Sequence, residues 1–289
     1  MSQQVELTGK VIVRPRTDGF GAEITGVDLR QPLDAETIHD IREAWLQHAV
    51  VWFPGQPLRL EELERFTLYM GDWGKTDFIE PVKGHPNILE LLREADETSS
   101  NFGAGWHSDY SFQVEPPAGT ILLSREVPPK GGRTFFADCR RAYDSLDEDM
   151  KGRIAGLMGI HSAELPYSKH GFYANEKEKR SLKIVPSDEA MERQLHPVVR
   201  THPETGRKSL FVNPVYTIGI DALPEEEGKK LLGTLCARCI QEEFLYRHDW
   251  EPDMVLMWDN RCVQHFAEGG YDGYRRLMYR TTFAGDRPV

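Results

Sequence analysis

Apolar residues along this chain fall into short runs broken by turn residues, and their spacing changes between the first third and the remainder. Near the start, Ile38, Ile41 and Trp45 recur at helical spacing behind Asp34, a residue able to accept the orphan amide protons of a helix start. The spacing predicts a helix there. An apolar run over 49–53 then stops at Pro54-Gly55, as a buried strand does. A second amphipathic helix is expected over 60–70.

From Trp106 onward β-type runs dominate, at 120–124, 197–201, 209–213, 254–258 and 277–283. Helical inserts are expected between them, one over 144–157 and one over 224–246. The second carries Leu231, Leu232, Leu235, Cys236, Cys239 and Ile240 on one stripe. Strands without a regular strand-helix alternation argue against a doubly wound parallel sheet. They favour a mostly β fold, an antiparallel sandwich or barrel decorated by helices. No repeat or Gly/Ser-rich linker divides the chain, so residues 1–289 are expected to form a single domain.

Composition narrows the function. The 289 residues are 39% hydrophobic and 10% aromatic, enough to build a full core. The net charge of -11 speaks against general attraction to nucleic acid or an anionic membrane, so an anionic ligand must be met by local Arg or Lys. The start, MSQQVELTGKVIV, lacks the pattern of a signal peptide, and no run reaches membrane-spanning length. A cytoplasmic protein with reduced cysteines at 139, 236, 239 and 262, assembling as a homo-oligomer, is expected.

The sharpest chemical signal is Trp106-His107-Ser108-Asp109, because residues two apart in an extended segment project from one face and can reach one ion. His202-Pro203-Glu204 has the same spacing, but its setting, Thr-His-Pro-Glu-Thr-Gly, is that of a hairpin tip facing water. The best third ligand is His265. Two histidines and one carboxylate form the facial triad of non-haem iron oxygenases, whereas catalytic zinc sites of this composition usually carry H-E-x-x-H, absent here. Cys236-Ala-Arg-Cys239 sits on the apolar stripe of its helix and reads as core packing.

Beyond His265, Arg276, Met278 and Arg280 share one face of a strand, a pair of cations suited to carboxylate binding. At this point the chain resembles the taurine dioxygenase and 2,4-dichlorophenoxyacetate dioxygenase family of iron(II)/2-oxoglutarate enzymes. The resemblance runs through Gly21 to Leu29, Trp106 to Asp109, Pro116 to Gly119, Gly131 to Thr134, Leu195 to Pro203, Trp258 to Arg261, His265, Arg276 and Arg280.

The resemblance implies a double-stranded β-helix, or jelly roll. It also implies iron held by His107, Asp109 and His265, with 2-oxoglutarate and O2 as co-substrates. Arg276 would pair with the distal carboxylate of 2-oxoglutarate, assisted by Thr134. Arg280 would face the anionic group of a small organic substrate, in a pocket walled by Tyr110, Tyr167 and Phe211. The outcome would be hydroxylation, with cleavage where the new hydroxyl sits beside a heteroatom. Gly103 and Thr76 replace polar residues of the taurine enzyme, which points away from taurine toward a sulfonate, sulfate ester, aryloxyalkanoate or other carboxylate. Asp109 disfavours a halogenase, which lacks the carboxylate ligand. An amino-acid-derived substrate, a non-oxygenase jelly-roll metalloenzyme and a ligand-binding protein are the alternatives.

Overall fold

The computed structural model describes residues 5–7 and 11–289, with side chains from residue 11 onward. Its main sheet has nine strands, in the order Val5–Leu7, Val11–Pro15, Ala22–Thr25, Val50–Phe53, Val255–Asp259, Gly119–Glu126, Arg276–Phe283, His85–Arg93 and Pro81–Val82. One pairing, Ala22–Thr25 with Val50–Phe53, is parallel. The rest are antiparallel, so the fold is sheet-rich with helices, as the strand pattern suggests.

The alternation of side chains along these strands separates two apolar layers. Val255, Met257, Ile121 and Leu123 face one way and pack with Ile41, Trp45, Leu63 and Phe66 of the helices Ala35–His48 and Leu60–Met70. Asp34 caps the first helix through Thr37 N, as its position in the sequence predicts. The intervening residues Leu256, Trp258, Leu122 and Met278 face the other way. They meet Phe136, Tyr246 and Val263 of a three-stranded sheet, Leu245–His248, Thr134–Asp138 and Val263–Ala267. Arg276 and Arg280 have the parity of Met278 and are likewise buried on this inner side.

The second helical insert ends sooner than its stripe suggests. The helix is Glu225–Cys239, and residues 245–248 become a strand paired with 134–137. Phe244, Tyr246 and His248 are buried in alternation, a period of two that outweighs helical propensity once an edge is available to pair with. The first insert divides into Cys139–Asp144 and Glu148–Ile154. All four cysteines are free thiols, and no helix among the described residues is long and apolar enough to cross a membrane.

Candidate active site

His265 lies in the middle of Val263–Ala267, and its backbone reaches out of that sheet to a second histidine. His107 and His265 form an isolated antiparallel bridge, with His107 N donating to His265 O at 3.0 Å and His265 N donating to His107 O at 2.8 Å. The imidazoles consequently lie close, with ring centroids 4.1 Å apart and planes tilted by 47°. His107 does occupy extended backbone, but the two-ligand arm does not continue as a strand. Asp109 already belongs to a turn, and Tyr110 follows at φ 49, in the left-handed region. The turn folds the carboxylate back, so Asp109 Oδ1 lies 3.6 Å from His107 Nε2 and 4.0 Å from His265 Nε2.

Side-chain and backbone hydrogen bonds orient His107 and Asp109, whereas His265 Nδ1 is buried without a partner. The Gly105 carbonyl accepts from His107 Nδ1 at 2.7 Å, which puts the proton on Nδ1 and leaves the Nε2 lone pair facing Asp109. Thr120 Oγ1 donates to Asp109 Oδ2 at 2.7 Å. Asn260 Nδ2 in turn donates to Thr120 Oγ1 at 2.8 Å, while Asn260 Oδ1 accepts from Asp109 N at 3.2 Å and Trp258 Nε1 at 3.0 Å. Asn260 therefore holds both the backbone and, through Thr120, the carboxylate of Asp109.

Charge follows from this packing. Burial by itself raises the Asp109 pKa, but the guanidinium of Arg280, 3.2 Å from Oδ1, more than offsets it and keeps the carboxyl ionised. Burial, helped by the neighbouring His107, lowers His265 to about 3, so its ring is neutral at physiological pH. Two imidazoles and a carboxylate with ligand atoms all within 4.8 Å of one another fit a divalent transition metal, with coordination positions to spare.

A cavity opens from this cluster and is lined by Thr134, Trp258, Tyr271, Arg276 and Arg280 as well as His107 and His265. Arg276 is buried there. Its Nε has no acceptor, and its Nη2 reaches only the Gly132 carbonyl at 3.4 Å, while desolvation lowers its pKa. Gly132, at φ 69, adopts a conformation that favours glycine, and a Cβ there would stand 3.5 Å from Arg276 Nε. A second cavity meets the first at His107, Asn101, Phe102 and Gly103. It is walled largely by apolar groups, including Tyr167, Tyr173, Val215 and Tyr216.

The remaining expected site residues divide. Tyr167 lines the second cavity. Tyr110 does not line either cavity, and its hydroxyl accepts from Arg280 Nη2 at 2.6 Å. The Arg280 fork is thus engaged by Asp109 and Tyr110, leaving Nε without a protein partner. Phe211 lines neither cavity, contrary to its expected place in the substrate wall. It follows the strand Lys208–Leu210, its amide held by the Val198 carbonyl at 2.8 Å, and its ring stacks on His161 beneath the Arg200 guanidinium, away from both cavities.

The segment 202–207 is the expected hairpin turn, joining the paired strands Val199–Thr201 and Lys208–Leu210, but the His202 ring does not face water: it is buried, with Nε2 2.9 Å from Asp259 Oδ2. Glu204 pairs with Arg261 and Arg42, which ties this otherwise exposed turn to the body of the fold. Thr120 and Asn260 escaped the sequence reading of site residues. Asn260 lies in the Trp258 to Arg261 phrase, where its position directly after a strand end was the available signal.

Comparison with known proteins agrees with this geometry. Residues 12–282 match the family model described as taurine catabolism dioxygenase TauD, TfdA family. The (S)-phenoxypropionate/alpha-ketoglutarate-dioxygenase of Sphingobium herbicidovorans is 32% identical over 284 residues, covering 95% of each chain. An alkylsulfatase of Acinetobacter baylyi is 31% identical, covering 96% of this chain and 86% of its own. A crystal structure of a taurine dioxygenase from Burkholderia xenovorans superposes with a TM-score of 0.81 at 30% identity, covering 97% of this chain and 93% of that one.

Proposed function

Because the chain belongs to the TauD/TfdA family of dioxygenases, we propose that it is an iron(II)- and 2-oxoglutarate-dependent dioxygenase acting on a small organic anion. The observation that carries this reading is the meeting, in one cavity, of a three-ligand cluster with buried donors that lack an acceptor. His107, Asp109 and His265 would hold the iron, which supplies oxygen activation as 2-oxoglutarate is consumed to succinate and CO2. Arg276, its Nε unsatisfied and buried, is suited to the distal carboxylate of the co-substrate, with Thr134 beside it. The facing sheets are read as a single-domain double-stranded β-helix that carries these groups on its inner faces.

The primary substrate would occupy the second cavity, whose aromatic walls suit an aryl or alkyl body. Its anionic group would meet Arg280, whose free Nε faces no protein acceptor. Relatives named for a phenoxypropionate and for an alkyl sulfate support a carboxylate, sulfonate or sulfate ester. The test is succinate formation against a panel of these anions together with neutral and cationic analogues. Anionic compounds should drive turnover, and Arg280→Leu should lose that dependence while slow uncoupled decarboxylation persists. A neutral or cationic best substrate would refute the anion assignment. Absence of a visible charge-transfer band on adding 2-oxoglutarate to the anaerobic iron(II) protein would refute the co-substrate.

A further inference from the structure

Thr134 begins the central strand of the three-stranded sheet, opposite His248 on one side and Ala267 on the other. Its buried side chain lines the cavity shared by His265, Arg276 and Arg280. Trp250 lies two residues beyond the neighbouring strand, and its indole Nε1 is 3.0 Å from Thr134 Oγ1. An indole nitrogen carries a proton and offers no lone pair, so the direction of this bond is fixed: Trp250 donates and Thr134 accepts. The hydroxyl of Thr134 must then send its own proton elsewhere. No side chain or carbonyl among the described residues takes it.

Arg276 Nε, on the same cavity, is also a buried donor with no acceptor. Two donors left over in one closed end of a cavity define a place for an anionic acceptor. Trp250 is itself held firmly. It is 8% exposed, belongs to the inner apolar layer, and meets the His248 ring edge to face at 4.8 Å.

We infer that Trp250 is a positioning residue for the co-substrate, its indole N–H fixing Thr134 as a hydrogen-bond donor toward the distal carboxylate of 2-oxoglutarate. The inference rests on the co-substrate assignment above and adds to it the residue that sets the polarity of the threonine. Without the indole proton, the hydroxyl recovers its rotational freedom and its buried lone pair loses a partner. The donor it presents to the carboxylate is then weaker, because hydrogen bonds in a chain polarise one another.

The experiment is calorimetric titration of 2-oxoglutarate into anaerobic iron(II) protein, using the native chain, Trp250→Phe, Thr134→Val and the double variant. Trp250→Phe should weaken binding roughly five- to tenfold in the native background, the range of one neutral hydrogen bond. It should change binding less than about twofold when Thr134 is already Val, since the bond then has no acceptor. In turnover, the apparent constant for 2-oxoglutarate should rise while kcat at saturation stays unchanged. Equal weakening in both backgrounds, or none in the first, would reduce Trp250 to a packing residue and overturn the inference. Thermal melts of the co-substrate-free proteins identify a misfolded variant, in which case Trp250→Leu, which carries no donor, takes its place in the same cycle. A native protein that does not bind 2-oxoglutarate overturns the co-substrate assignment and this inference with it, whereas tight native binding with additive variants overturns the role of Trp250 alone.

Discussion

Asp109 concentrates the chemistry of the site in one side chain. Its Oδ2 accepts from Thr120, its Oδ1 lies beside Arg280, and its amide is held by Asn260. A carboxylate so fixed loses little freedom on taking up a metal, so it should contribute strongly to metal affinity. Asp109→Ala should abolish 2-oxoglutarate decarboxylation and weaken iron(II) binding, measured by equilibrium titration with a chromophoric competitor. Full activity in that variant would remove Asp109 from the ligand set. Arg276, on the same cavity, would make a charge-assisted fork to the proposed co-substrate carboxylate, worth about 3 kcal/mol. Arg276→Ala should therefore raise the apparent constant for 2-oxoglutarate by roughly two orders of magnitude and leave iron binding intact. An unchanged constant would assign the carboxylate to another cation.

At the scale of elements, the decisive piece is the turn between Val255–Asp259 and Val263–Ala267. Arg261 closes it by gripping Asp259 with Nε at 2.8 Å and Nη2 at 2.7 Å, and this grip presents Asn260 to Asp109. Asn260→Ala leaves the buried Asp109 amide and the buried Trp258 indole N–H unpaired, at a cost of about 1–3 kcal/mol each in metal-free stability. It should also lower metal affinity by roughly 10–100-fold, the usual effect of losing a group that orients a ligand. Urea unfolding with and without metal separates the two effects, and a loss of stability with unchanged metal affinity would show that Thr120 alone suffices.

Much of this was legible in the sequence because it is local. The helices Ala35–His48 and Leu60–Met70 follow from periodicity and, for the first, from the Asp34 cap. The shared face of Arg276, Met278 and Arg280 follows from strand parity. What depends on distant partners was not legible. Strands such as Thr134–Asp138 and Val263–Ala267 owe their existence to pairing across more than a hundred residues, and Leu245–His248 is drawn from an apparent helix by the same pairing. Phe211 and His202 were misplaced because burial of a loop residue is decided by what packs over it.

The whole molecule stores several buried neutral histidines away from His107 and His265. Burial lowers His161 to about 3, His196 to about 4 and His248 to about 3. Their unfolded values lie near 6.5, so between about pH 6.5 and these folded values the unfolded chain binds more protons than the native one. The stability that goes with neutral imidazoles is complete above pH 6.5 and is lost as pH falls through that window. Each ring contributes a slope of up to about 1.4 kcal/mol per pH unit. Denaturant midpoints of the metal-free protein measured from pH 7.5 to 5 should fall steadily. His161→Gln should flatten the decline, and a flat native profile would contradict this account.

The reciprocal backbone pair between His107 and His265 has a consequence for metal exchange. Because protein hydrogen bonds, rather than the ion, hold the two imidazoles together, the centre behaves as a rigid socket instead of a clasp that closes around its occupant. Chelation should empty it without melting the surrounding strands, and refilling should be as fast as ligand encounter allows. A socket of fixed span does not exclude ions of similar radius, so manganese, iron and cobalt should all enter, with affinity rising in that order. The identity of the metal such a centre would hold then depends on supply in the cell as well as on affinity.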